Sequence, residues 1–159
     1  MPLLLCLIIQ ASISPMALFF IDCEFEDSTR TLISLGIVSE DGQREFYEVL
    51  PFSNVREQWV LDNVVPILKK APITFEAFQA KLTAFVSQFP GMTIIADHIN
   101  DIAYFSRALD KGMGKWVMIQ PLTMIVDDEL SAKKSVVLHN ALSDARAIRD
   151  SFLKKEGLT

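Results

Sequence analysis

Cysteine, histidine and glycine are scarce: the 159 residues hold two Cys, two His and six Gly. Cys6 and Cys23 cannot build a disulfide framework, and neither stands in a Cys-x-x-Cys or Cys/His zinc spacing, so a reducing, cytoplasmic setting is the expectation. Cations are in the minority, 15 Lys+Arg against 20 Asp+Glu for a net charge of −5. That excludes a broad basic surface able to hold long duplexes through their phosphates, and any nucleic-acid role must bring in positive charge. No apolar run is long enough for a membrane, because Leu3 to Ile9 falls well short of the ~20 residues a spanning helix needs. There is no Lys or Arg before Arg30, so the basic region of a signal peptide is missing, although Ala11-Ser12-Ile13-Ser14 could pass as a cleavage site. Residues 1–15 therefore read as an apolar extension outside the fold, with Met16 opening a single domain over 16–159. Internal repeats and low-complexity segments are absent, and with half the residues apolar the chain can bury a real core.

What is present first is a run of strands. ALFFIDCEF, TLISLGIVS and REFYEVL are rich in β-branched and aromatic residues, and Asp41-Gly42 between the second and third is a hairpin signal. Residues 54–70 carry Trp59, Val60, Val64, Ile67 and Leu68, with Asn54 and Glu57 as a helix start and Pro66 keeping the helix short or bent. Thr74 caps the next helix, whose Phe75, Phe78, Leu82, Phe85, Val86 and Phe89 recur at three- and four-residue steps and predict one buried face. MTIIAD follows as a buried strand, then a helix over roughly 100–110, then a strand at WVMIQ after Gly112 and Gly114. Residues 120–138 carry no clear pattern, and a last helix runs from about Asn140 to Lys155. A meander followed by alternating strands and helices predicts an α/β fold, a mixed sheet with helices packed on it.

Four acids stand where apolar residues are expected. On a strand alternate residues share a face, so Asp22 and Glu24 point the same way as Leu18 and Phe20, about 6.6 Å apart along the backbone. Two anions in an apolar strand repel and lose hydration unless a cation lies between them, and an oxygen-preferring divalent metal is the natural one. An Asp-x-Glu triplet arises by chance about 0.6 times in such a composition, so the pair alone decides little. Asp127-Asp128-Glu129 is such a decoy, in a polar stretch that reads as a solvated turn. In the last helix, however, Asp144 falls on the stripe of Ala141, Ala145, Ile148 and Phe152, and Asp101 shares a stripe with Phe105 and Ala108. His139 stands five residues before Asp144, placed to act as a general base near neutral pH.

Three motifs gather these residues: Phe20-Ile21-Asp22-Cys23-Glu24-Phe25, Asn100-Asp101-Ile102-Ala103-Tyr104-Phe105, and His139-Asn140-Ala141-Leu142-Ser143-Asp144-Ala145. In order and spacing the chain resembles the DEDD exonucleases of the RNase H-like superfamily, in the subgroup that uses a histidine. The resemblance runs from about Met16 to the end of the last helix. EQWVLDNVVPILKK and IADHINDIAYF are similar to small 3′-to-5′ exoribonucleases of the mycobacterial polyadenylate-exonuclease type. The resemblance implies a five-stranded RNase H-like mixed sheet with helices on both faces. It also implies Asp22, Glu24, Asp101 and Asp144 as ligands of two Mg²⁺ or Mn²⁺ ions, and His139 as the base. The chain departs from its relatives at Asn100, where an aromatic residue is common, and at Asp97, where Asn is usual, which leaves Asp97 as the alternative to Asp101.

The substrate implied is single-stranded RNA or an RNA 3′ end, released as nucleoside 5′-monophosphates. A DNA 3′ exonuclease is the closest alternative, an RNase H-type endonuclease and an inactive interaction domain the others. Two divalent ions would add +4 to the formal −5 and leave −1, with the positive charge concentrated at the phosphate. Lys133, Lys134 and Arg107 are candidates for gripping the strand. The sequence leaves open whether the chain works alone or as a homodimer.

Overall fold

The computed structural model describes residues 16–159, so the extension over 1–15, with Cys6, lies outside the described residues. Strands Ala17–Glu26 (β1), Thr31–Ser39 (β2) and Glu45–Val49 (β3) form the expected antiparallel meander. Its second turn uses Gly42 at φ 72°, a left-handed conformation that glycine adopts without cost. Asp41 helps fold that turn by accepting from the Gln43 amide at 2.9 Å. There follow Gln58–Asn63 (α1), a 3-10 turn at Val65–Ile67, Phe75–Val86 (α2), Met92–Ala96 (β4) and Ile99–Leu109 (α3). A two-stranded hairpin, Asp110–Gly112 (β5) with Lys115–Trp116 (β6), precedes Leu122–Val126 (β7) and Ala141–Lys155 (α4). The five-stranded sheet runs β3-β2-β1-β4-β7, with β4 parallel to β1 and β7 parallel to β4.

Alternation along β1 divides the interior between the two faces of the sheet. Phe19, Ile21 and Cys23 pack with Phe78, Leu82 and Phe85 of α2 and with Tyr104 and Phe105 of α3. Phe20 packs on the opposite face with Val38, Ile95 and, from α4, Ala145 and Ile148. Both Phe19 and Phe20 are fully buried, each contributing about 1.5–3 kcal/mol over an exposed ring. Helix α4 comes unusually near the sheet at Gly36, the β2 partner of Asp22. A Cβ there would lie 2.4 Å from the Ala141 carbonyl carbon and the Leu142 nitrogen, so the absent side chain lets the first turn of α4 rest on β2.

Two elements and one buried position differ from the sequence expectation. The helix over 54–70 shrinks to α1 because the buried carboxylate of Glu26 accepts from the Arg56 and Glu57 amides at 2.5 and 2.6 Å. Those amides are held in a loop, and the helix starts only at Gln58. At the other end Pro66 falls inside the 3-10 turn. The fifth strand of the sheet is not WVMIQ but Leu122–Val126, inside the stretch without a readable pattern. Trp116 ends the small hairpin instead, while Val117 and Ile119 turn into the core. Phe75, expected on the buried face of α2, is 44% exposed, and the rest of that stripe packs as predicted, with Phe89 half-buried. Among the described residues no helix is long and apolar enough to cross a membrane.

Candidate metal centre

Strand β4 ends at Ala96, and Asp97 follows at once, at the carboxyl end of the parallel strands where open α/β sheets form their sites. His98 then caps α3, its Nδ1 accepting from the Asn100 amide at 3.2 Å, which puts Asp101 in the helix's first turn. The Cys23 amide donates to Asp101 Oδ1 at 3.0 Å and ties that turn to β1 between Asp22 and Glu24. From the other side, Asn140 caps α4 by accepting from the Ser143 amide at 3.2 Å. Asn140 Nδ2 also donates to the Tyr47 hydroxyl at 3.1 Å and the Ile67 carbonyl at 3.2 Å. With the close approach at Gly36, this fixes Asp144 over Glu24.

Asp22, Glu24, Asp97, Asp101, His139 and Asp144 line one cleft of about 320 Å³. Donor atoms of Asp22, Asp97 and Asp101 lie within 4.8 Å of one another, and so do those of Glu24, His139 and Asp144. All the sequence-predicted site residues are thus brought together. The alternatives Asp97 and Asp101 are not exclusive, since both stand beside Asp22. The decoy acids lie elsewhere, with Asp127 and Glu129 in a turn held by Lys155 at 2.8 and 2.7 Å. Lys133 and Lys134 sit beside the outer face of α4, near Ala147 and Asp150, and not in the cleft.

Burial and the mutual proximity of the acids set the electrostatics of the cleft. None of the five carboxylates pairs with a Lys or Arg among the described residues. Burial, reinforced by Asp101, Glu24, Asp144 and Asp97, raises Asp22 well above the carboxylate range. Burial and then Asp144 and Asp101 push Glu24 to about 8. Asp101 is pushed to about 7, chiefly by burial, with the Cys23 amide opposing. Asp97 and Asp144 are raised too, again by burial first. Asp144 Oδ2 accepts from the His139 amide at 2.9 Å, whereas its Oδ1 is buried without a partner. An orphaned carboxylate oxygen amid an all-oxygen set of acids fits a hard divalent cation, which would satisfy the oxygen and relieve the repulsion.

His139 reaches this cleft from a left-handed backbone, φ 66°, a conformation that costs a non-glycine residue about 1–2 kcal/mol. Trp59 of α1 lies edge-on to its ring, centroids 5.0 Å apart. Sequence reasoning counts Trp59 among the apolar residues of its helix, but it is 55% exposed and lines the cleft. The signal lies in the spacing: Val60, Val64 and Leu68 form the buried stripe, and Trp59 falls one position off it. No protein-family model matches the chain, and no characterised protein matches it.

Proposed function

We propose that this protein is a metal-dependent 3′-to-5′ exoribonuclease with an RNase H-like fold. The observation that carries the reading is the convergence of Asp22, Glu24, Asp101 and Asp144 with His139 in one cleft, drawn from three separate chain segments. The sheet order supports it: an antiparallel meander continued by two parallel strands, with helices on both faces.

The four acids, with Asp97 beside Asp101, would hold Mg²⁺ or Mn²⁺. When bound, two such ions supply the positive charge that steadies the attacking and leaving oxygens of an in-line displacement at phosphorus. His139 takes the proton from the attacking water, whose oxygen joins the last phosphorus as the bond to the preceding 3′ oxygen breaks. The products are a nucleoside 5′-monophosphate and a strand one residue shorter with a new 3′ hydroxyl. Trp59, exposed beside His139, offers a ring on which the terminal base can stack.

The test is digestion of 5′-labelled single-stranded RNA with Mg²⁺, Mn²⁺ or EDTA, beside a DNA strand and a circular RNA. A labelled ladder shortening by single residues, unlabelled nucleoside 5′-monophosphate detected by chromatography from the earliest times, an intact circle and silence in EDTA are expected. Cutting of the circle would move the protein to an endonuclease, preference for the DNA strand would change the sugar, and activity undiminished in EDTA would overturn the metal.

A further inference from the structure

Phe25 separates the metal cleft from a second concavity of about 280 Å³ that the proposed chemistry does not use. Phe25 borders the cleft and its ring stacks on Tyr104 at 4.3 Å and 17°, and Tyr104 lines the second pocket. Along α3, Arg107 lies six residues beyond Asp101, roughly 9 Å down the helix axis. That is the length of about two or three stacked nucleotides.

Two features mark the pocket as suited to a ligand. Its cations are uncommitted, since neither Arg30 nor Arg107 has an ion-pair partner among the described residues, whereas Arg146 and Arg149 are paired with Glu45 and Asp150. Arg107 lies over the Tyr104 ring at 5.2 Å. The pocket's lining holds two guanidiniums and no carboxylate, and Asp27, outside the lining, accepts from the Tyr104 hydroxyl at 3.2 Å. Beside these charges is an apolar wall: Leu32, Leu50 and the exposed Phe75, whose ring lies parallel to the buried Phe78 at 6.0 Å. An exposed ring backed by a buried one is a fixed platform rather than a loose side chain.

We infer that this pocket is a nucleotide subsite, taking a base against Phe75, Leu32 and Leu50 and a phosphate between Arg30 and Arg107. Guanidinium matches phosphate oxygens in a two-point geometry, and an aromatic platform accepts any base, so the site recognises the class and not the sequence. Its nucleotide comes from one of two sources. An upstream residue of the strand whose 3′ end lies in the cleft is the first, and it rests on the exoribonuclease reading. A free nucleoside 5′-monophosphate is the second, and it does not.

The experiment is fluorescence anisotropy with 5′-labelled oligoadenylates of two and six residues, each protected by a phosphorothioate at the last linkage, in Mg²⁺. For the upstream source the six-residue strand binds about tenfold or more tightly than the two-residue one. Phe75→Ala and the double variant Arg30→Ala/Arg107→Ala each remove that advantage, but only the arginine variant flattens the salt dependence, by about 0.7 for each phosphate it no longer holds. For the free source, adenosine 5′-monophosphate shifts the Arg30 and Arg107 Nε–H signals in NMR spectra while the length preference is absent. Melting temperatures check the variants, and Arg107→Lys, which keeps the charge and gives up the two-point geometry, serves should the double variant not fold. Affinities and salt slopes unchanged by every variant, together with unmoved arginine signals, would overturn the subsite. A protein that degrades no RNA but still binds the monophosphate at these arginines would refute the nuclease and retain the subsite.

Discussion

In metal-free protein, Glu24→Gln should stabilise the fold at pH 8 and change little at pH 5. Glu24 is 8% exposed, and burial, then the neighbouring Asp144 and Asp101, push its carboxyl from 4.5 to about 8. Unfolded, it titrates near the ordinary value of about 4.3. Because the folded value is the higher, the folded protein keeps a proton that the unfolded chain has released between roughly pH 4 and 8. The stability tied to Glu24 is therefore complete below the unfolded value and is lost as the pH rises through about 8. The full displacement corresponds to a ceiling of about 5 kcal/mol at ~1.4 kcal/mol per tenfold change. Sharing of protons with Asp22 and Asp101 and relaxation of the cluster leave about 2 kcal/mol, or about 4–8 °C in a chain of this size. Melting curves in EDTA at pH 5 and pH 8 measure it. Saturating Mg²⁺ should reverse the order, because only the wild type keeps all its ligands. A variant that melted below wild type at pH 8 in EDTA would mean that Glu24 has a favourable partner, and the account of a repelling cluster would be wrong.

Asp22→Asn should shrink the rise in melting temperature on adding Mg²⁺ or Mn²⁺, a rise that in wild type reflects a stabilisation of about 2.7 kcal/mol at a hundredfold excess over Kd; equal shifts in both proteins would exclude Asp22 as a ligand. His139→Asn should slow RNA hydrolysis by about 10²–10⁴ at saturating metal while leaving the metal-induced thermal shift in place, since a base and a ligand fail differently. Asparagine is the substitution of choice because it tolerates the left-handed φ of 66°, and full activity in it would make His139 structural. Gly36→Ala should lower the urea midpoint by the equivalent of about 3 kcal/mol and disturb Asp144, because the added methyl meets backbone atoms that cannot swing aside. A midpoint within error of wild type would show that α4 does not rest on β2 there.

The parts of the fold legible in the sequence are those where burial repeats at a fixed period. β1 and β2 alternate or run apolar, and α2 and α4 keep a stripe at three- and four-residue steps, so their residues fall on definite faces from the sequence alone. Asp144 and Asp101 stand out because they interrupt such stripes. β7 is illegible for the opposite reason: as an edge strand it leaves Met124, Ile125 and Val126 exposed by 36–41%, so no burial pattern marks it. The shortening of α1 depends on Glu26, thirty residues away, accepting amides that local propensity would have spent on a helix. Phe75 has the right spacing and still fails to bury: it is the first residue of α2 and borders an open pocket with Leu32, Leu50 and Tyr104. The joint presence of Asp97 and Asp101 at the site is legible only as a choice between them. Seeing that both belong requires knowing that the strand end and the first helical turn fold back onto β1.

Main-chain donors anchor the two helical acids of the cleft. Asp101 gives one oxygen to the Cys23 amide on β1, and Asp144 gives one to the His139 amide at the start of α4. In each case a backbone N–H of a neighbouring segment holds half of the carboxylate and leaves the other half for the cleft. Helical acids held this way stay buried beside one another, so burial first, and the neighbouring carboxylates after it, raise their proton affinity against the opposing amide bonds. The five-residue interval between His139 and Asp144 has the same origin. The left-handed turn at His139 aims its amide at the carboxylate and its ring at the cleft, so one residue orients a ligand through its backbone and supplies a base through its side chain. Because the anchor is main chain, replacing the imidazole leaves it in place, and the two roles can be separated in a single variant.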